Sequence, residues 1–252
     1  MRRVEHLLRA TAKAEARHFW FRGFRAFVRP LLQDAAAGRP DPRLLDCGCG
    51  TGANVELLDT VGRGFGFDLT EIGLRIGREA GRTRLARASV TAVPFLAASF
   101  DIVTSFDVLY ALEDADERAA IAEMYRLLKP GGFAIVNVAA MQVLRGDHSV
   151  LSREIRRYSR DDLRARIERA GFVIQRLTYT NATLFAPLAI ARLIQRRRGL
   201  RIESEAGSEI SVPPEPLNAI MTAVMRLEAS WLRWFDAPFG SSLLCLARKP
   251  GS

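Results

Sequence analysis

The chain has 252 residues, 48% hydrophobic and 26% charged, a balance that suits one large globular domain or one domain with an elaborate insertion. Its 37 basic against 28 acidic residues give a formal charge of +9, which fits a plain basic surface, anionic substrates, nucleic acid or an anionic membrane face. The odd set Cys47, Cys49 and Cys245 argues against a disulfide framework or a zinc site, the charged N-terminus has no apolar signal core, and the longest apolar run, 183–194, is too short to span a bilayer and contains Arg192. A soluble, cytoplasmic protein is the expectation.

Residues 1–35 read as helical, with Trp20, Phe24, Phe27, Val28 and Leu31 on one apolar face, and "AAGRPDPR" breaks the period. From Arg43 a strand–helix alternation begins. "RLLDCG", "GFGFDLT", "FDIVTSFD" and "FAIVNVAA" read as strands, with one more near "TRLARASV"; "NVELLDTV", "EIGLRIGREAG" and "DERAAIAEMYRLLKPGG" read as helices, the last stopped by Pro130 and Gly131. Alternation of this kind predicts βαβ units and a parallel sheet, with the loops after Asp46, Asp68 and Ser105 along one edge. "YSRDDLRARIERAGF" is a helix capped by Ser159 and closed by Gly171, "VIQRLTYT" a strand, and "SSLLCLARK" the last strand. Between those two strands lie the apolar run, the basic "RRRGLR", a polar linker and a helix with Leu217, Ile220, Met221, Val224, Leu227, Trp231 and Phe235 on a broad apolar side. The expected organisation is a helical cap over 1–39, a core over 40–181 and 238–252, and a helical insertion or lid over 182–237.

"LLDCGCGTGAN" places three glycines directly after a buried strand, a turn in which backbone can approach a ligand closely and free N–H groups point at it. Asp68 follows Gly48 by twenty residues and ends the next strand, a spacing that suits a carboxylate accepting from ribose hydroxyls. Gly48, Gly50 and Ala53 also satisfy the looser G-x-G-x-x-G/A dinucleotide pattern, so the loop alone leaves the adenosine-containing cofactor open.

Taken in order, "LLDCGCGTG", "GFGFDLT", "FDIVTSFDVLYAL" and "RLLKPGGFAIVNV" resemble the class I S-adenosylmethionine-dependent methyltransferases over about residues 40–140. The stretches "EARHFWFRGFR", "REIRRYSRDDLRARIERAGFVIQRLTYTN" and "APFGSSLLCLARK" resemble a bacterial branch with small-molecule or glycan-type substrates. The resemblance implies a Rossmann-like α/β fold: a mostly parallel seven-stranded sheet with its last strand antiparallel, plus the cap helix and the insertion. It implies S-adenosyl-L-methionine as cofactor and S-adenosyl-L-homocysteine as product. Asp46, Gly48, Gly50 and Gly52 match the motif that contacts the methionine part; Asp68 matches the ribose-binding acid, with Leu69 beside the adenine. Ser89 stands where relatives often carry an acid near the adenine amino group, Val90 could offer its backbone N–H, and Phe106 is expected to border the cofactor. Many relatives have a histidine where this chain has Ala111.

His148, Tyr110 and Asp107 are the candidates for acid–base work near the transferred methyl. Tyr158 and Arg157 could bind an anionic acceptor, and His18 and Trp20 could close the pocket from the N-terminal helix. Each has a plainer reading: a solvated loop histidine, a helix start, a packed tyrosine with solvated arginines, or an aromatic packing stripe. The expected reaction is methyl transfer to a small-molecule acceptor, among them glycan, lipid-linked and natural-product types, with no metal and with positioning as the main source of catalysis. Peripheral membrane contact and a homodimer stay open, and nucleic acid is disfavoured for want of a recognition motif. The competing readings are an NAD-dependent oxidoreductase and a basic RNA- or membrane-surface-binding module that retains the cofactor fold.

Overall fold

The computed structural model describes residues 8–9, 11–146, 149, 154–197 and 212–251. In chain order these form α1 (Phe19–Ala36), β1 (Arg43–Cys47), α2 (Ala53–Leu58), β2 (Arg63–Asp68), α3 (Glu71–Glu79), β3 (Leu85–Arg87), β4 (Phe100–Phe106), α4 (Asp114–Leu127) and β5 (Leu128–Ala139). They continue with α5 (Arg160–Arg169), β6 (Val173–Thr180), α6 (Phe185–Arg197), α7 (Glu215–Trp231) and β7 (Ser242–Arg248).

The strands make one seven-stranded sheet in the order β3-β2-β1-β4-β5-β7-β6. Strands β1 to β5 run parallel, and β7 enters antiparallel between β5 and β6. Every residue of β4 is buried, as expected for a central strand covered on both faces. The chain moves outward from β1 to β3 and then returns to β4 beside β1. The crevice at that reversal lies beyond the carboxyl ends of β1 and β4, where open parallel sheets bind ligands.

One core layer joins Leu45, Val103, Met124, Tyr158 and Leu163; the other joins Val28, Leu32, Ile102, Ile135 and Met225 beneath α1 and α7. Ser159 caps α5 by accepting from the Asp162 N–H at 3.1 Å, as its sequence pattern predicts. The helix expected to run to Pro130 instead ends at Leu127, and "LKPGG" opens β5. Phe100 pairs with Leu128 but Ile102 pairs with Phe133, so the intervening β5 residues bulge out of the ladder, with Gly131 at φ +76°. Asp101 pins this bulge, accepting from Lys129 Nζ at 2.8 Å and from the Arg43 N–H at 3.0 Å.

Helix α7 turns much of its apolar side outward. Its buried residues are Asn218, Thr222, Met225, Glu228 and Ala229, while Leu217, Ile220, Leu227 and Trp231 are exposed. The inward polar groups have partners. Asn218 accepts from the Phe19 N–H at 2.8 Å and donates to the Arg17 carbonyl at 3.0 Å; Glu228 accepts from the N–H groups of Ala182 and Thr183 at 2.8 and 3.0 Å. Helix α7 is thus the post that ties the start of α1 to the approach to α6.

Candidate cofactor and acceptor site

The glycine loop follows β1. Gly48, Gly50 and Gly52 all have positive φ, at 81°, 56° and 79°. A Cβ on Gly48 would also sit 2.5 Å from Val108 Cγ2, so both conformation and space require glycine there. Asp68 ties this loop to the next one. Its Oδ2 accepts from the Gly50 N–H at 2.8 Å, and its Oδ1 accepts from the N–H of Thr70 at 2.8 Å and from the Thr70 hydroxyl. Leu69 beside it is 63% exposed, leaving an apolar surface free at the loop.

Asp46 is buried beneath the loop. Its Oδ1 accepts from Thr104 Oγ1 at 2.7 Å, whereas its Oδ2 is buried with no hydrogen-bond partner among the described residues. Burial pushes this carboxyl up to about 7, opposed by the Thr104 bond and reinforced by the nearby Asp68 charge. A buried carboxylate oxygen left open at a glycine cradle calls for a cationic donor.

The N-terminal arm reaches the same loop, which the sequence reading did not foresee. Glu15 accepts from Thr51 Oγ1 at 2.7 Å and from Arg82 at 3.1 Å, and a Cβ on Gly50 would meet Leu8 at 3.7 Å. Nothing in the local pattern around Glu15 signals this contact, because its partners lie dozens of residues away.

A cavity of about 500 Å³ opens beside the ends of β4, β5 and β7 under α6 and α7. Five of the candidates line it: His18, Trp20, Asp107 and Tyr110, with Arg157 at its polar side. Phe19, Phe21, Leu144, Leu188 and Met221 make most of the remaining wall apolar. Asp107 projects from the end of β4 at φ +59°, held by Asn137, whose amide donates to Asp107 Oδ1 at 2.9 Å. Asp107 is exposed at the cavity mouth, and desolvation by the surrounding crevice walls, with the Glu154 charge adding to it, pushes its carboxyl up to about 7 against the Asn137 bond. His18 caps α1, its Nδ1 accepting from the Trp20 N–H at 3.1 Å, and burial lowers its pKa, so its ring is neutral near pH 7.

Tyr158 is a correction. It is 1% exposed, and its hydroxyl donates to Glu117 Oε1 at 2.7 Å, away from the cavity. The other Glu117 oxygen is held by Arg156 at 2.6 Å and by Arg166. Arg157 is bound as well, its Nε to Glu154 Oε1 at 2.5 Å and its Nη1 to the Ala140 carbonyl at 2.9 Å. The expected anion clamp of Tyr158 and these arginines is therefore largely an internal ion-pair network. We expect Glu117→Gln, which leaves two arginines facing a buried amide, to cost roughly 3–5 kcal/mol, seen as a thermal midpoint lower by about 10 °C. An unchanged melting curve would refute that role.

The remaining candidates separate. Ser89 hydrogen-bonds locally, its Oγ 2.8 Å from Thr91 Oγ1, and Val90 packs against the core. Phe106 lies at the carboxyl end of β4, but its ring packs edge-on against Phe24, 5.0 Å between centroids, beneath α1. His148 lies outside the described residues.

Residues 45–136, from β1 through β5, match the family model described as a methyltransferase domain. The match covers the glycine loop, Asp68, Asp107 and the "LKPGG" bulge together, which no dinucleotide-binding pattern requires. Residues 45–136 therefore carry a methyltransferase domain of the class I S-adenosylmethionine-dependent superfamily. Within that superfamily the chain is similar to the demethylmenaquinone methyltransferase of Renibacterium salmoninarum, 36% identical over 114 residues, 43% of this chain and 46% of the relative. It is also similar to the ubiquinone/menaquinone biosynthesis C-methyltransferase UbiE of Shewanella halifaxensis, 27% identical over 188 residues, 60% of this chain and 73% of the relative. The chain thus spans about half the length of the first of these relatives.

Among solved structures, an S-adenosylmethionine-dependent methyltransferase from Thermotoga maritima matches 97% of this chain and 98% of its own, with TM-score 0.58 and 19% identity. The cyclase SpnF matches 90% of this chain and 81% of its own, with TM-score 0.57 and 20% identity. These likenesses are of fold, and a cyclase among them shows that a class I methyltransferase fold does not by itself fix the reaction. The residues present fit the superfamily's cofactor, S-adenosylmethionine. Asp46 Oδ2 offers an open acceptor to its ammonium group, Asp68 a carboxylate to its ribose, and Leu69 an apolar surface to its adenine.

Proposed function

We propose that this methyltransferase methylates a small, mainly apolar acceptor that must lose a proton, with Asp107 receiving that proton. The observation that carries the reading is Asp107 itself: an acid raised to about 7, anchored by Asn137, at the crevice end of β4 and facing a largely apolar cavity. When bound, the cofactor supplies a methyl group already activated as a sulfonium. Asp46, the glycine loop and Asp68 would hold it. The aromatic wall from α1 orients the acceptor and excludes water, and neutral His18 keeps that wall uncharged. Two relatives named for quinone-type methylation support an aromatic ring of that kind over a sugar or a phosphate-rich acceptor. The internal pairing of Arg157 with Glu154 also weighs against an anionic one.

The first test is calorimetric titration with S-adenosylhomocysteine and, separately, NAD. Binding of the sulfur compound alone, weakened at least about tenfold in Asp68→Ala through loss of charged hydrogen bonds, is the expected result. Binding of NAD alone would overturn the proposal.

A further inference from the structure

The outward side of α7 exposes Leu217, Ile220, Leu227 and Trp231, which are 51%, 61%, 71% and 48% accessible. These residues are three, seven and four apart, a single stripe along the helix. Trp234, just past the helix end, is 81% accessible, and Phe235 stacks on Trp231 at 5.5 Å. Helix α6 adds Ile190, Leu193 and Ile194, all more than half exposed, while Leu188 and Ala191 of the same helix line the acceptor cavity. Because α7 buries Asn218, Thr222 and Glu228 and turns its leucine, isoleucine and tryptophan outward, its polarity is the reverse of a helix whose outer side meets only water.

The flank of α7 supplies the complementary observation. A groove of about 620 Å³ between α1 and α7 is lined by Arg22, Arg25, Arg29, Arg226 and Arg233, with no acidic side chain among its lining residues. No ion pair or hydrogen bond to any of these five guanidinium groups is found among the described residues. Arg226 and Leu227 are consecutive on α7, so the basic flank and the apolar stripe sit about a quarter-turn apart on one helix.

We propose that this face docks on an anionic lipid bilayer, with Leu227, Trp231 and Trp234 entering the interface and the arginines meeting lipid phosphates. Five clustered basic residues beside an amphipathic helix match the composition of anionic-lipid binding, and tryptophan favours the headgroup depth. A second copy of the chain would satisfy the apolar stripe but would bring like-charged arginine flanks close across a twofold axis. A nucleic acid would satisfy the arginines and leave the leucine and isoleucine side chains in water. Only a bilayer answers both halves of the surface. The inference does not depend on which acceptor is methylated, although α6 would then stand between the bilayer and the cavity.

Co-sedimentation of the full chain with phosphatidylcholine vesicles, and with vesicles also containing phosphatidylglycerol, tests it. We expect binding to the phosphatidylglycerol vesicles only, weakening with added salt, with a blue shift of tryptophan emission. Arg29→Gln/Arg233→Gln should lower the partition coefficient about thirtyfold, and Leu227→Ser/Trp231→Ser should reduce binding and the blue shift. Thermal unfolding of each variant confirms that it folds. No binding to anionic vesicles at low salt, or binding by both double variants as strong as the parent's, would overturn the proposal. A dimer that Leu227→Ser/Trp231→Ser dissociates, without vesicle binding in the parent, would assign the face to a second copy instead.

Discussion

Asp107→Asn is expected to lower the methyl-transfer rate by about 10²–10⁴-fold while leaving S-adenosylhomocysteine affinity unchanged. The amide keeps the shape of the group and its place beside Asn137 but cannot take a proton. Because the crevice walls and the Glu154 charge raise the Asp107 carboxyl to about 7, the parent enzyme should gain rate as pH rises through 7 and level off above it, as the carboxylate form fills. The variant's residual rate should lack that limb. A pH–rate profile with labelled methyl donor reads both effects. An undiminished rate, or the same limb in the variant, would show that the acceptor loses its proton elsewhere and that Asp107 serves only the loop geometry.

The second large effect is expected at Asp46. Its open Oδ2 must be ionised to meet a cationic ammonium group, so cofactor affinity should strengthen as pH rises through about 7 and binding should release a proton below that pH. Asp46→Asn removes the charge-assisted bond, which contributes roughly 1.5–3 kcal/mol, and should weaken S-adenosylhomocysteine binding about ten- to hundredfold at pH 8 with little pH dependence left. The ligand-free protein should respond in the opposite sense. Asp46 and Asp107 are both raised above the usual carboxylate value of 3.8, so between about 4 and 7 the folded chain holds more protons than the unfolded one. Stability should therefore fall as pH rises across that window, and Asp46→Asn should flatten part of the decline. Calorimetry in buffers of different ionisation enthalpy separates the proton release from the binding. An affinity that ignores pH in the parent would remove Asp46 from the cofactor's ammonium site.

Much of the glycine-loop half of the molecule was legible from the chain alone, because it depends on local rules. Positive φ at Gly48, Gly50 and Gly52 follows from a tight strand-to-helix turn, and the twenty-residue step to Asp68 follows from one βα unit. Strand alternation and right-handed crossovers then order the parallel strands without any knowledge of their contacts. The acceptor half was decided by tertiary structure. Whether Tyr158 faces a cavity or Glu117 depends on how α4 meets the chain after β5, a contact across 41 positions that no periodicity encodes. The arm contact of Glu15 with Thr51 and Arg82 is equally non-local. Helix α7 shows the reason most directly. Its apolar spacing correctly predicts a helix, but hydrophobic pattern assigns the buried side only when burial is the sole use of apolar surface. Here Asn218 and Glu228 find backbone partners inside, at no lasting cost in unpaired groups, and the leucines and tryptophans are left outside. The sequence by itself determined the sheet and the glycine turn after β1; only the folded chain decided what lines the cavity and which face remains without a partner.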